Sequence, residues 1–157
     1  MTEPVGGRLP AAILTAFDGE DLEAKIGLAY LLVTVDPDGA PRPCMLSAGE
    51  ILAVDDRRLR LALWPGTNTS RNLEAGRPAL LCFAAPDTVL YVRGHPRALG
   101  ASESTGLERF EIEVTSVQSD VHAGMPVTQT ISFSIGASDP AEVAAGWRRQ
   151  LTDLRGA

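Results

Sequence analysis

Alternation with a period of two dominates the middle of the chain. Over residues 57–64, Arg58 and Arg60 alternate with Leu59 and Leu61, which predicts a strand with one wet and one buried face. Residues 29–35 are rich in aromatic and β-branched side chains, and Asp36-Pro37-Asp38-Gly39 follows as a turn, so a hairpin is expected into the next extended run, 41–54, with a bend at Ala48-Gly49. Residues 78–84 and 89–99 predict two further strands across the Ala85-Pro86-Asp87-Thr88 turn. Two more are expected at 109–121 and 128–135, the second alternating Ile131, Phe133 and Ile135.

Helical periodicity is confined to the ends and to one short insertion. A helix is predicted over 9–17, with Pro10 near its start and Asp18-Gly19 as its stop, and a second short one over 21–26. Between strands, the polar run from Thr67 leads into Asn72-Leu73-Glu74-Ala75, closed by Gly76, and a two-turn helix is expected here. The clearest helix covers 140–154: Asp139 caps it, Pro140 opens it, and Val143, Trp147, Leu151 and Leu154 form its apolar stripe. No repeat or linker interrupts the chain, so residues 1–157 are expected to form one domain, with the sheet spanning about 22–135. Sequential hairpins with few short helices predict a mainly β protein, an antiparallel barrel or sandwich with peripheral helices.

Composition removes several classes of chemistry. A net charge of -6, with no cluster of basic residues and interleaved aromatics, argues against binding nucleic acid. Of the 14 basic residues, 13 are arginine, and the one lysine, Lys25, sits at an expected exposed helix end; neither a Walker loop nor a Schiff-base enzyme fits. Cys44 and Cys82 lie in apolar surroundings and read as reduced core thiols. His95 and His122 lack metal-ligand spacing, and the alternating Glu108, Glu111 and Glu113 read as a wet strand face. The longest strongly apolar run, 28–35, is far short of the roughly 18 residues of a membrane span. With no signal-peptide pattern at the start, a cytoplasmic protein without a membrane partner is expected.

One polar cluster stands out. Thr67-Asn68-Thr69-Ser70-Arg71-Asn72 gathers hydroxyls, amides and a guanidinium at a helix start, where free N–H groups and the positive helix end favour an anion. The plain alternative is a capped helix with a solvated arginine. Trp64 just before it offers an aromatic wall for a planar ligand, and Ser47 is placed on a neighbouring strand.

The order of these features resembles the pyridoxamine 5'-phosphate oxidase-like family of FMN-binding split β-barrels. The resemblance rests on the strand and turn 32–41, the strand through Met45-Leu46-Ser47, the hairpin 55–61, the stretch 67–81 and the strand 90–98 with its Val92-Arg93-Gly94-His95-Pro96-Arg97-Ala98 pattern. It implies a split barrel, a homodimer and FMN in a groove at the subunit interface. By the same resemblance, Met45, Leu46 and Ser47 run along the isoalloxazine ring. Thr67 then matches a phosphate-binding serine, and Asn68 and Thr69 stand where the family has Arg and Lys. Arg71 replaces the lost charge with Thr69 and Ser70 adding hydroxyls, or a shifted register puts Ser70-Arg71 on the Ser-Arg pair. The family's Arg-Leu-x-Pro substrate segment is absent and Trp147-Arg148-Arg149-Gln150-Leu151 stands at the end, so oxidation of vitamin B6 is not supported. The expectation is an FMN-dependent oxidoreductase acting on a small-molecule donor or acceptor. A non-catalytic flavin- or small-ligand-binding dimeric module is the alternative, and a deazaflavin or haem in place of FMN stays open.

Overall fold

The computed structural model describes residues 2–157; Met1 lies outside the described residues. The chain runs β1 (Glu3–Gly6), α1 (Ala11–Ala16), α2 (Leu22–Lys25), β2 (Leu28–Val35), β3 (Pro41–Ser47), β4 (Ile51–Asp55), β5 (Arg58–Leu63), α3 (Asn68–Glu74), β6 (Ala79–Ala85), β7 (Thr88–Ala101), β8 (Glu108–Ser119), β9 (Ile131–Ser132) and α4 (Pro140–Arg155). The strands form one antiparallel sheet in the order β3-β2-β6-β7-β8-β5-β4, with β1 added to β8 and β9 to β2.

That order curls the sheet. β3 and β4 are its two outer strands, yet only residues 48–50 join Ser47 to Ile51. Four residue steps span at most about 14 Å, so the two ends must come round to each other. The result is a split barrel, open between its edges. Its interior takes the inward residue of each strand: Tyr30 and Leu32, Leu59 and Leu61, Leu81 and Phe83, Phe110 and Ile112. Ile13 of α1 and Phe17 at its C-terminal cap join this core, and Phe17 meets Tyr30 and Phe83 edge-on with ring centroids 5.0 and 5.9 Å away.

A second apolar cluster lies outside the barrel. Ala144, Leu151 and Leu154 of α4 pack on Leu52 and Ala62 of β4 and β5, together with Leu22 and Leu107. This packing corrects one expectation about charge. Glu111 is buried rather than on a wet face, because α4 covers that side of β5 and β8. It stands directly opposite Arg60 on one neighbouring strand and Arg97 on the other, and bonds both, at 3.0 and 2.8 Å. Arg60 also donates to the carbonyls of Leu154 and Arg155, supplying partners for the open end of α4. Likewise, Lys25 is not a free helix end: its Nζ donates to Asp18 and to the Thr15 carbonyl.

Local chemistry explains the other differences. The run 41–54 is two strands, broken where Glu50 N–H bonds the Ser47 carbonyl in a tight turn. The two-turn helix expected before Gly76 runs over Asn68–Glu74, with Thr67 as its cap. The strand expected over 128–135 shrinks to Ile131–Ser132, held to β2 by Thr130 Oγ1 on the Ala29 carbonyl and by Phe133 N–H on that of Gly27. The terminal helices run over Ala11–Ala16 and Pro140–Arg155, and β1, a short polar run, owes its form to pairing with β8. Cys44 and Cys82 are free and half-buried rather than in the core, with Cys44 at the core's edge.

Candidate functional site

A cavity of about 700 Å³ opens where the barrel edge, the 131–133 strap and α4 meet. Its β-side wall is Met45, Leu46 and Ser47 at the end of β3, with Ala62 and Trp64 at the end of β5. Ser104, Thr105 and Leu107 add the loop before β8, and Ile131, Ser132 and Phe133 add the strap. The helical wall is Val143, Gly146, Trp147, Arg149 and Gln150. Exposed apolar side chains gather here: Met45 is 62% exposed, Trp64 71%, Ile131 43% and Phe133 39%.

Two features fix the cavity's floor. Glu50 Oε2 accepts from both the N–H and the Oγ of Ser47, at 2.6 and 2.9 Å, which holds the turn between β3 and β4. Burial pushes the Glu50 carboxyl above its ordinary value, against the pull of the Ser47 hydrogen bonds. Beside it, Gly49 admits the indole of Trp147: a Cβ there would lie 2.2–2.4 Å from three ring atoms. Trp147, spaced on the stripe expected to seal the core, therefore lies on the backbone of Gly49 and borders the cavity.

A second, polar depression of about 420 Å³ is lined by Asp36, Pro37, Asp38, Asn68, Arg71, Asn72 and Arg77. Its hub is Asn72, which is 2% exposed. The Asn72 amide donates to Thr34 Oγ1 and Asp36 Oδ1, and its carbonyl accepts from Arg77 at 2.8 Å. Hydrogen bonds from Arg42, then Asn72, hold the Asp36 carboxyl below the usual carboxylate range. Arg71 is exposed and makes no ion pair among the described residues.

The structure thus divides the residues singled out from the sequence. Met45, Leu46, Ser47 and Trp64 come together at the cavity, and Asn68 and Arg71 at the depression. Trp64 and Asn68 are four residues apart, so their Cα atoms lie within about 14 Å. Of the remaining three, Thr69 and Ser70 are buried, and Thr67 is exposed but committed to the helix cap. Thr67 Oγ1 accepts from Ser70 N–H and donates to Ser70 Oγ, and Ser70 Oγ donates to the Thr67 carbonyl, so both hydroxyl protons serve the helix cap. Thr69 is buried beside Cys44, whose thiol burial pushes up while the hydrogen bond with Thr69 draws it down. His95 and His122 are exposed, and no cluster of metal-ligating residues occurs among the described residues.

Among known proteins, the uncharacterized protein YclD of Bacillus subtilis (strain 168) is 32% identical over 140 residues, 88% of this chain and 90% of YclD. The chain belongs to the family of YclD. Its fold is that of the pyridoxamine 5'-phosphate oxidase-like split barrels. A candidate pyridoxamine 5'-phosphate oxidase from Lactobacillus delbrueckii superposes with a TM-score of 0.57 at 15% identity, over 73% of this chain and 98% of that one. HupZ of Group A Streptococcus superposes with a TM-score of 0.55 at 10% identity, over 80% of this chain and 99% of HupZ. No protein-family profile matches the chain.

In this YclD-family chain the helical wall escaped sequence reasoning. Gly146, Arg149 and Gln150 border the site, yet no motif marks them. One signal was present: Val143, Gly146, Trp147 and Gln150 recur at helical spacing, offset from the stripe of Ala144, Leu151 and Leu154 that enters the core. No helix among the described residues is long and apolar enough to cross a membrane.

Proposed function

We propose that this chain binds FMN as a homodimer and acts in the cytoplasm as an oxidoreductase toward a small donor or acceptor. The observation that carries this reading is the gathering of Met45, Trp64, Ile131 and Phe133, half of the eight exposed large hydrophobic side chains among the described residues, at one cavity. Soluble monomers rarely expose such contiguous apolar surface without a use. A flat conjugated ring and a second copy of the chain would cover it together.

The residues present fit FMN. β3 is an edge strand, so its backbone groups facing away from β2 are open to the polar edge of a ring, apart from the Ser47 N–H that Glu50 takes and the Pro41 and Pro43 nitrogens that carry no hydrogen. Met45 and Trp64 supply apolar surface for its face, and Ser47 is held in place by Glu50. The phosphate falls to Asn68 and Arg71, exposed members of the polar cluster that line the depression, with Arg77 beside them. When bound, FMN supplies hydride and electron transfer. The chain supplies placement: Trp64 and the strap exclude water, and Arg71 neutralises the phosphate. A second reading, a binding module without turnover, is favoured by the cavity's single ionisable carboxyl, Glu50, having Oε2 committed to Ser47.

Flavin fluorescence tests the assignment. Saturable quenching of FMN at micromolar levels is expected, with weaker binding of riboflavin, which lacks the phosphate. A hydrogen bond to a charged group contributes about 1.5–3 kcal/mol, so Arg71→Gln should weaken FMN by roughly 10- to 150-fold and leave riboflavin within about twofold. Equal losses for both ligands would remove Arg71 from the phosphate site, and no quenching would remove FMN. Oxidation of reduced nicotinamide by the loaded protein separates the enzyme from the binding module.

A further inference from the structure

Gly146 has no structural reason to be glycine. It lies inside α4, where glycine is the poorest helix former after proline. Its φ is not positive, and a Cβ built there would meet only Arg149 Nη2, at an ordinary 3.7 Å. Gly49 is the opposite case, since the Trp147 ring occupies the place of its Cβ. What Gly146 does is leave open a strip of helix backbone facing the cavity.

Three neighbours give that strip a chemistry. Trp147 is a flat surface held against Gly49 on one side. Gln150 borders the cavity and carries a buried Oε1 with no hydrogen-bond partner among the described residues, an acceptor that needs a donor. Arg149 is exposed at the rim and makes no ion pair among the described residues. An apolar flat surface, an unfilled acceptor and a free cation select a ligand with matching parts.

We propose that this face of α4 is the recognition wall for the second reactant: a small planar ring bearing an acidic group for Arg149 and an N–H or O–H donor for Gln150 Oε1. The ring lies over Gly146 beside Trp147. This rests on the flavin reading for the identity of the first ligand, placed along Met45–Ser47, but the two are tested separately.

Anthranilate is a suitable probe, being planar with a carboxylate and an N–H donor; aniline lacks the acid and benzoate lacks the donor. By calorimetry on the FMN-loaded protein, anthranilate should bind at least tenfold more tightly than either. Arg149→Gln should abolish its preference over aniline. Gly146→Ala should weaken anthranilate at least tenfold while raising Tm by roughly 2–4 °C, because a better helix former now fills the strip. Neither variant should change FMN affinity by more than about twofold. Retention of anthranilate affinity in both variants, or failure of the wild type to bind it, overturns the proposal. Loss of FMN affinity in both variants also overturns it, because α4 would then belong to the flavin. If the wild type binds no FMN, the flavin reading fails, and the same three probes on the cofactor-free protein decide the α4 wall.

Discussion

Replacing Glu111 by alanine tests the reading that a buried ion network anchors α4. The Glu111 side chain is 7% exposed and that of Arg60 11%, whereas Arg97 is 66% exposed. The loss of the Arg97 pair should cost at most about 1 kcal/mol, since water replaces the carboxylate. Arg60 is different. Its Nε loses its acceptor under α4, and an uncompensated buried charge costs about 3–5 kcal/mol. Its bonds to the Leu154 and Arg155 carbonyls survive, which favours the low end, about 3 kcal/mol. With a urea m-value of roughly 2 kcal/mol/M, the unfolding midpoint should fall by about 1.5 M. The effect should depend on pH. Burial alone would raise the Glu111 carboxyl, but hydrogen bonds and charge from Arg97 and Arg60 outweigh it and hold the group below its ordinary value. A depressed carboxyl stabilises the fold above its unfolded pKa of about 4.3, and that contribution is lost as pH falls through the folded value. The gap between wild type and Glu111→Ala should therefore close in acid. The double replacement Arg60→Met with Glu111→Leu should recover most of the loss, falling short by the helix-end bonds. A loss under about 1 kcal/mol at pH 7, or a gap that ignores pH, would refute the buried-network argument.

Two further substitutions probe the cavity. Gly49→Ala puts a methyl group 2.2–2.4 Å from ring atoms of Trp147, so the indole must leave its seat; overpacking of this kind costs about 1–3 kcal/mol, and Tm should recover when Trp147→Leu is added. An unchanged Tm and tryptophan fluorescence in the single variant would show that the ring does not rest there. Glu50 is pushed up by burial, so ionising it works against the fold: wild-type stability should decline as pH rises from the ordinary carboxyl value to the raised one. Glu50→Gln should consequently gain in Tm on wild type between pH 4 and pH 7, and a difference constant over that range would count against the assignment.

The division between the two kinds of site residue has a physical origin. A planar ligand needs apolar surface that the fold leaves uncovered, and exposure is a property of the assembled sheet. Met45 and Trp64 were open to selection by resemblance and by residue type, and both are exposed at the cavity. In the polar run, residue type could not tell a hydroxyl that serves a ligand from one that serves the chain. Thr67 and Ser70 bond each other because one helical turn brings them together, and that leaves Asn68 and Arg71 to line the depression.

Local pattern by itself determined the strands of the barrel, the caps at Thr67 and Asp139 and the turn at 36–39, because each depends on contacts within a few residues. Tertiary structure decided everything that depends on a distant partner. β1 exists only through its pairing with β8, and its own residues carry too little periodicity to announce it; the alternation at 131, 133 and 135 announced a strand, but pairing with β2 limits it to Ile131–Ser132. Glu111 has the alternation of a solvated face but sits under α4, a helix 29 or more residues away in the chain. The helical wall follows the same rule. Gly146, Trp147, Arg149 and Gln150 become a site only because the apolar stripe of Ala144, Leu151 and Leu154 docks on β4 and β5 and turns the adjacent stripe toward Ser47 and Trp64. Period-two and helical spacing encode which face is buried; what that face is buried against is set by the curl of the whole sheet.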